Sequence, residues 1–385
     1  MANQTKKVAL VFGTRPEAIK LAPVLLALKR EEGITPEVCV TAQHRQMLDQ
    51  VLGVFEVVSD VDLDLMKADQ ALPSLTARAM VGLDEYLSTS KPDLVLVQGD
   101  TTTTFCAAMA SFYNKIPVGH VEAGLRTHDL AAPWPEEANR ALIARLATLQ
   151  FAPTEGNRKN LLDEGVPASA IHVTGNTGID ALFIALKRLE GLESPPEGLS
   201  SVLQPGNRPR RLVLITGHRR ESLGPGLLAV CHAIAELASL FPDVNFVYPV
   251  HLNPKVRGAV RESLGAKTPH NVHLIEPLPY LSFVFLMNRS DLILTDSGGI
   301  QEEAPSLGKP VLVLRDKTER PESVASGNSK LVGTDAKRII REVVSLLTDS
   351  GAYGAMSKAT NPYGDGRAST RIVQACKEFL NSRAS

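Results

Sequence analysis

Thr295-Asp296-Ser297-Gly298-Gly299-Ile300-Gln301-Glu302-Glu303-Ala304 follows the apolar run Leu292-Ile293-Leu294 and leads into a short helical pattern ending near Gly308. The run reads as a buried strand, so the stretch is a strand-to-helix corner. Two glycines there let the backbone come close to a ligand. The helix start offers unpaired N–H groups and the positive end of a dipole, which is the geometry that holds phosphate. Glu302 and Glu303 suit a different partner, because a carboxylate accepts a pair of sugar hydroxyls. Read this way, the stretch is a nucleotide cradle, with amides for a diphosphate and an acid for the ribose. A plain αβ corner is the competing reading of the same residues.

The surroundings repeat the pattern. Upstream, Arg211-Leu212-Val213-Leu214-Ile215-Thr216 reads as a strand, Gly217-His218-Arg219-Arg220-Glu221-Ser222 as the loop after it, and a helical pattern runs through Leu227, Ile234 and Leu237. Asn245 to His251 and Val272 to Ile275 are further strands, and Pro310 to Leu314 is a fifth, followed by a charged loop from Arg315 to Arg320. Strands alternating with helices make a parallel sheet through right-handed crossovers. His218 falls at a strand's carboxyl end, where it can donate to a pyrophosphate or transfer a proton. Arg320 is read as a site cation, against a surface ion pair.

The first half alternates in the same way. Val8-Ala9-Leu10-Val11-Phe12 is an apolar run of the kind expected for a strand covered on both faces. Pro16 then opens a helix that Gly33 stops. Arg15 and Lys20 lie near that strand's carboxyl end and suit a phosphate, although Lys20 also reads as a solvated helix lysine. Glu37 to Thr41 is the next strand, followed by Ala42-Gln43-His44-Arg45-Gln46, a site candidate or a solvated loop. Leu94 to Val97 is a buried strand ending in Gln98-Gly99-Asp100, with Asp100 a site acid or a cap for the helix opened by Thr101 to Thr104. Pro117 to Val121 leads to Glu122, and a polar loop holding the only Trp leads to Glu136-Glu137 at a helix start. The helix dipole alone favours acids there. Asp100, Glu122 and Glu136 are expected to converge, each raising its neighbours' proton affinity. Gln150 to Thr154 reads as the last strand of this half, and the Pro/Gly-rich segment from Ser194 to Pro209 as a linker.

Bulk properties bound the answer. A chain of 385 residues favours two domains. With 44% hydrophobic and 22% charged residues it has ordinary globular composition. A net charge of -1, with no block of like charge, argues against nucleic-acid and membrane-surface roles. The four cysteines are far apart and form no CxxC, so reduced, buried thiols in a cytosolic protein are expected, with no metal site. No apolar run is long enough for a signal segment or a membrane span.

Eight runs together, in order along almost the whole chain, resemble the non-hydrolysing UDP-N-acetylglucosamine 2-epimerases of bacteria. They are Gly13 to Glu17, Thr41 to Asp49, Gln98 to Thr101, His120 to Thr127, Pro135 to Arg140, Gly217 to Glu221, Asp296 to Glu303 and Thr318 to Glu322. The resemblance implies an α/β protein of GT-B fold, with two Rossmann-like domains facing across a cleft. The expected domains are 1–176, a nucleotide-binding 177–365, and a helix within 366–385 that packs back on the first. It implies a cytoplasmic homodimer that uses a UDP-sugar, needs no cofactor, and supplies N-acetylmannosamine precursors for bacterial surface polysaccharides.

The implied reaction interconverts UDP-N-acetylglucosamine and UDP-N-acetylmannosamine by eliminating UDP to a 2-acetamidoglucal and adding it back. By resemblance, Asp100, Glu122, Glu136 and His218 carry the proton and leaving-group chemistry. Arg15, Lys20, Ser297, Gly298 and Gly299 hold phosphates and ribose-side groups. Glu303 takes the ribose hydroxyls, Arg320 lies in the nucleotide site, and Phe283 bears on the uracil or belongs to the core. Gln43, His44, Gln46 and His251 match an activator site for a second UDP-N-acetylglucosamine in some members. Asp69, however, stands where an arginine can reach that ligand, and Leu278 stands where relatives carry a polar residue. A GT-B glycosyltransferase, a hydrolysing epimerase and a non-catalytic nucleotide-sugar sensor are the alternatives.

Overall fold

The structure, a computed structural model, describes residues 5–41, 45–65, 71–192, 194–200, 202–203, 211–217, 224–264 and 268–383, with backbone alone at 45–49 and 255. The chain divides into two compact units, Met1–Ile184 with Tyr363–Ser385, and Ala185–Pro362. The division falls inside the Thr177–Leu189 helix.

The first unit holds β1 (Lys6–Phe12), β2 (Ile34–Val40), β3 (Val61–Asp62), β4 (Leu94–Gln98), β5 (Val118–Val121), β6 (Leu149–Ala152) and β7 (Ile171–Val173). They form one seven-stranded sheet in the order β3-β2-β1-β4-β5-β6-β7, with every pairing parallel. Val8 to Val11 and Leu94 to Val97 are all 0% exposed, as continuous apolar strands covered on both faces must be. The register sets Gln98 opposite Val121, so the loops after β4 and β5 leave the sheet side by side.

The second unit repeats this plan. Its strands are β8 (Arg211–Thr216), β9 (Val244–Pro249), β10 (Val272–Ile275), β11 (Leu292–Thr295), β12 (Val311–Val313) and β13 (Ser329–Leu331). Their order is β10-β9-β8-β11-β12-β13, again all parallel. Both sheets thus have the doubly wound order. Each reverses once, between β1 and β4 in the first and between β8 and β11 in the second. Ligands of open α/β sheets bind outside the strand carboxyl ends at such a reversal.

Several sequence expectations need correction. Residues 150–154 do not close the first sheet, because β7 follows. Strands β3 and β13 were also missed. All three are edge strands of two or three residues, too short to show a period. The first helix ends at Leu28, and Gly33 instead turns the chain into β2 with φ of 79°. Asp100 does not cap the next helix. Thr101 does, its hydroxyl accepting the Thr104 N–H at 3.1 Å. In the stretch read as a linker, Leu199 and Val202 are buried, so that part is packed.

The C-terminal helix Ala368–Ser382 lies on the Arg15–Leu28 helix. Asp180 fixes its start, accepting the N–H groups of Ala368 and Ser369 and the Ser369 hydroxyl at 3.1, 2.8 and 2.5 Å. All four cysteines are buried and unpaired. Among the described residues no helix is long and apolar enough to cross a membrane, and no cluster of three or more His, Cys, Asp or Glu could hold a metal.

Candidate active site

The reversal in the first sheet gathers the loops after β1, β4 and β5. Glu122, just past β5, is the centre of one network. It accepts from Lys20 Nζ in a short ion pair, from Gln98 Nε2 at 2.5 Å and from Asn176 Nδ2 at 3.0 Å. Three donors from three elements fix its carboxylate. Its backbone has φ of 67°, a region that costs a non-glycine residue of order 1 kcal/mol or more and that collects at functional sites. Gly124 allows the next turn. Its φ is 87°, and a Cβ there would sit 2.2 Å from the Asn157 carbonyl oxygen.

Asp100 is the centre of the other network. Arg140 Nε donates to its Oδ2 at 2.8 Å, and Asn139 Nδ2 donates to its backbone carbonyl at 2.8 Å. Both donors come from the Glu136–Leu146 helix, which brings Glu136 into the same neighbourhood. Desolvation pushes the Asp100 proton affinity above the usual carboxylate range. Arg140 opposes that rise, while Glu122 and Glu136 add to it through their charge. Glu122 and Glu136 are thus both near enough to Asp100 for their charge to act on it. A Cβ on Gly99 would lie 3.7 Å from Glu122 Oε2, so Glu122 abuts the residue just before Asp100.

The neighbours do more than the sequence suggested. Glu137, read only as a helix-start acid, is 2% exposed. It accepts the N–H groups of Thr127 and His128 at 3.0 Å each and pairs with Arg140 at 2.9 Å. Arg140 thus bridges Asp100 and Glu137. His120 is buried beneath the loop after β4, its Nε2 2.7 Å from the Gly99 carbonyl oxygen. Arg140, Gln98 and Asn176 carry no signal of their own in sequence. Their roles come from register and helix phase. Arg15 is the first residue of its helix, and Lys20, read as a phosphate cation, is engaged with Glu122.

The second unit builds its site at the reversal between β8 and β11. Ser297 precedes the Gly298–Glu303 helix, its N–H donating to the Thr295 hydroxyl at 3.0 Å. Arg320 is 8% exposed and donates to Glu302 Oε1 at 2.7 Å and Glu319 Oε2 at 2.8 Å, so it is a buried cation between carboxylates. A Cβ on Gly298 would lie 2.8 Å from the Arg320 Cζ, so this glycine makes room for the guanidinium. Glu302 is buried on Arg320, leaving Glu303, half-buried on the next position, as the better placed acid. Phe283 is half-buried in the Tyr280–Arg289 helix, and His251 is exposed, its Nδ1 accepting the Asn253 N–H at 3.1 Å. Leu278 is buried, with Gly198 packed on it. His218, Gln43, His44 and Asp69 lie outside the described residues. Gln46 falls in the Arg45–Phe55 helix, where its side chain is likewise outside them.

A family model described as UDP-N-acetylglucosamine 2-epimerase matches residues 26–377. The chain belongs to the UDP-N-acetylglucosamine 2-epimerase family. It is 55% identical over 379 residues to the UDP-N-acetylglucosamine 2-epimerase of Escherichia coli K12, covering 98% of this chain and 100% of that protein. It is 55% identical over 375 residues to a probable UDP-N-acetylglucosamine 2-epimerase of Ralstonia nicotianae, covering 97% and 100%. A crystal structure of the Neisseria meningitidis UDP-GlcNAc 2-epimerase bound to UDP-GlcNAc superposes with a TM-score of 0.90 at 52% identity, covering 97% of this chain and 100% of that one. With these relatives, the two parallel sheets are those of a GT-B-type 2-epimerase.

Proposed function

We propose that this chain interconverts UDP-N-acetylglucosamine and UDP-N-acetylmannosamine by eliminating UDP to a 2-acetamidoglucal and adding it back. The observation that carries the reading is the gathering of Asp100, Glu122 and Glu136 at one sheet reversal. The family membership favours the epimerase over a glycosyltransferase or a sensor. The C2 proton of the substrate is not next to a carbonyl, so direct deprotonation is unfavourable. Loss of UDP with that proton gives a neutral glycal. Such a step needs an acid and a base on opposite sugar faces, and charge stabilisation for the departing diphosphate.

Asp100 suits proton transfer because its proton affinity is raised by desolvation. Glu122 suits a fixed role, since three donors set its direction. Glu136, half-buried at a helix start, is the third acid. Arg15 is assigned to phosphate, and Lys20 to phosphate in exchange for Glu122. In the second unit Ser297, Gly298 and Gly299 are assigned to the diphosphate, Glu303 to the ribose, Arg320 to the nucleotide site and Phe283 to the uracil. His218 is assigned to proton or leaving-group chemistry, and Gln43, His44, Gln46 and His251 to an activator site, on resemblance alone. The reading includes the domain limits 1–176, 177–365 and 366–385, a cytoplasmic homodimer and a supply of N-acetylmannosamine for surface polysaccharides. Helices of the first unit expose the large apolar side chains Val81, Phe112, Tyr113 and Leu142, which supports self-association.

The test is incubation of the purified chain with UDP-N-acetylglucosamine alone in deuterated water, followed by NMR. Both epimers should form with deuterium at C2 and no accumulating free UDP. Absence of C2 exchange would refute the reading, and stoichiometric free UDP would point to the hydrolysing variant.

A further inference from the structure

Glu17, the third residue of the Arg15–Leu28 helix, is 1% exposed, and the chemistry assigned above does not use it. A buried carboxylate is costly unless its lone pairs are engaged. Its Oε2 accepts the N–H groups of Gly13 at 3.0 Å and Thr14 at 2.7 Å. Its Oε1 lies 2.6 Å from the Thr101 hydroxyl and 2.9 Å from that of Thr104. Thr104 has one hydroxyl proton and also lies 2.7 Å from the Gln98 carbonyl, and the Thr101 and Thr104 hydroxyls are 3.0 Å apart, so Thr101, with the shorter contact to Glu17, is the main donor to it. Thr101 follows Asp100 directly and caps the Thr102–Tyr113 helix.

One side chain therefore ties the loop after β1 to the loop after β4. We infer that Glu17 is a positioning residue for the reaction, setting Asp100 by holding Thr101 against the β1 loop. None of its hydrogen bonds goes to Asp100 itself. His120 also holds this loop through the Gly99 carbonyl, so the loop is held at the residues before and after Asp100 in the chain. The inference rests on the proton-transfer role assigned to Asp100.

Glu17→Gln tests it. The amide keeps an acceptor for Gly13 and Thr14 but presents N–H to the Thr101 hydroxyl. Epimerisation kcat is expected to fall about 10- to 100-fold, the scale of an ångström-sized displacement of a reacting group. KM should stay within about threefold, because substrate contacts are untouched. In an Asp100→Asn background, the same substitution should cost less than about twofold in slow C2–deuterium exchange, since the group it positions is gone. Thermal unfolding of each variant checks folding. Wild-type kcat in Glu17→Gln, or an equal loss in both backgrounds, would overturn the inference. A wild-type chain without exchange would overturn the epimerase reading beneath it.

Discussion

Replacing His120 by Gln should weaken the dependence of stability on acid. His120 is 1% exposed, and burial, the largest influence, holds its pKa down at about 4 against an ordinary 6.5. The bond to the Gly99 carbonyl opposes that shift and Arg126 reinforces it. The folded chain therefore excludes a proton that the unfolded chain binds. This contribution is fully present above pH 6.5 and is lost as pH falls towards 4. At 1.36 kcal/mol per tenfold change in proton binding, the gap is worth roughly 3 kcal/mol in all, and about 2 kcal/mol of it is lost between pH 7 and pH 4.5. The assay is urea unfolding of the full chain and of His120→Gln at both pH values, followed by circular dichroism. The variant should be less stable than wild type at pH 7, from lost packing. Its further loss on going to pH 4.5 should be smaller by about 2 kcal/mol. An identical pH dependence in both proteins would refute the reasoning.

Three other outcomes are expected. Arg140→Met removes the cation that opposes the raised proton affinity of Asp100, so the limb of the pH–kcat profile that reports Asp100 should move to higher pH, and a downward shift would contradict the assignment. Gly298→Ala would place a Cβ 2.8 Å from Arg320 Cζ, and Arg320 is pinned by two carboxylates, so UDP affinity by calorimetry should fall about tenfold or more, for a packing cost of about 1–3 kcal/mol. Asp180→Ala strands two buried N–H groups and a hydroxyl at the start of the C-terminal helix. It should cost about 1–3 kcal/mol, read as a fall in Tm of about 1–4 °C for a chain of this length, and an unchanged Tm would mean that helix is held by its apolar face alone.

The long parallel strands were legible because β1, β4, β8 and β11 are continuous apolar runs, as burial on both faces demands. β3, β7 and β13 were not, since two or three residues carry no period. Asp100, Glu122 and Glu136 could be expected to meet because each stands at a strand end or a helix start near one reversal. What holds them could not be read. Arg140 reaches Asp100 only because the 136–146 helix lies in one particular phase, and Asn176 reaches Glu122 across residues distant in sequence. Glu17 looks like an ordinary first-turn acid of a helix, and only its hydrogen bonds to Gly13, Thr14 and Thr101 show that it bridges two loops. Lys20 reads as a phosphate cation from its position, yet its geometry adds a carboxylate partner that no spacing rule supplies.

The most direct test of the account separates proton chemistry from nucleotide binding. Asp100→Asn should bind UDP within about threefold of the wild-type Kd, since no phosphate or nucleotide contact is assigned to Asp100, and Glu122→Gln should bind it no more weakly than wild type, since it releases Lys20 towards phosphate, while in both C2–deuterium exchange falls about a thousandfold or more. Exchange within tenfold of wild type in both variants, or loss of UDP binding in step with exchange, would contradict it.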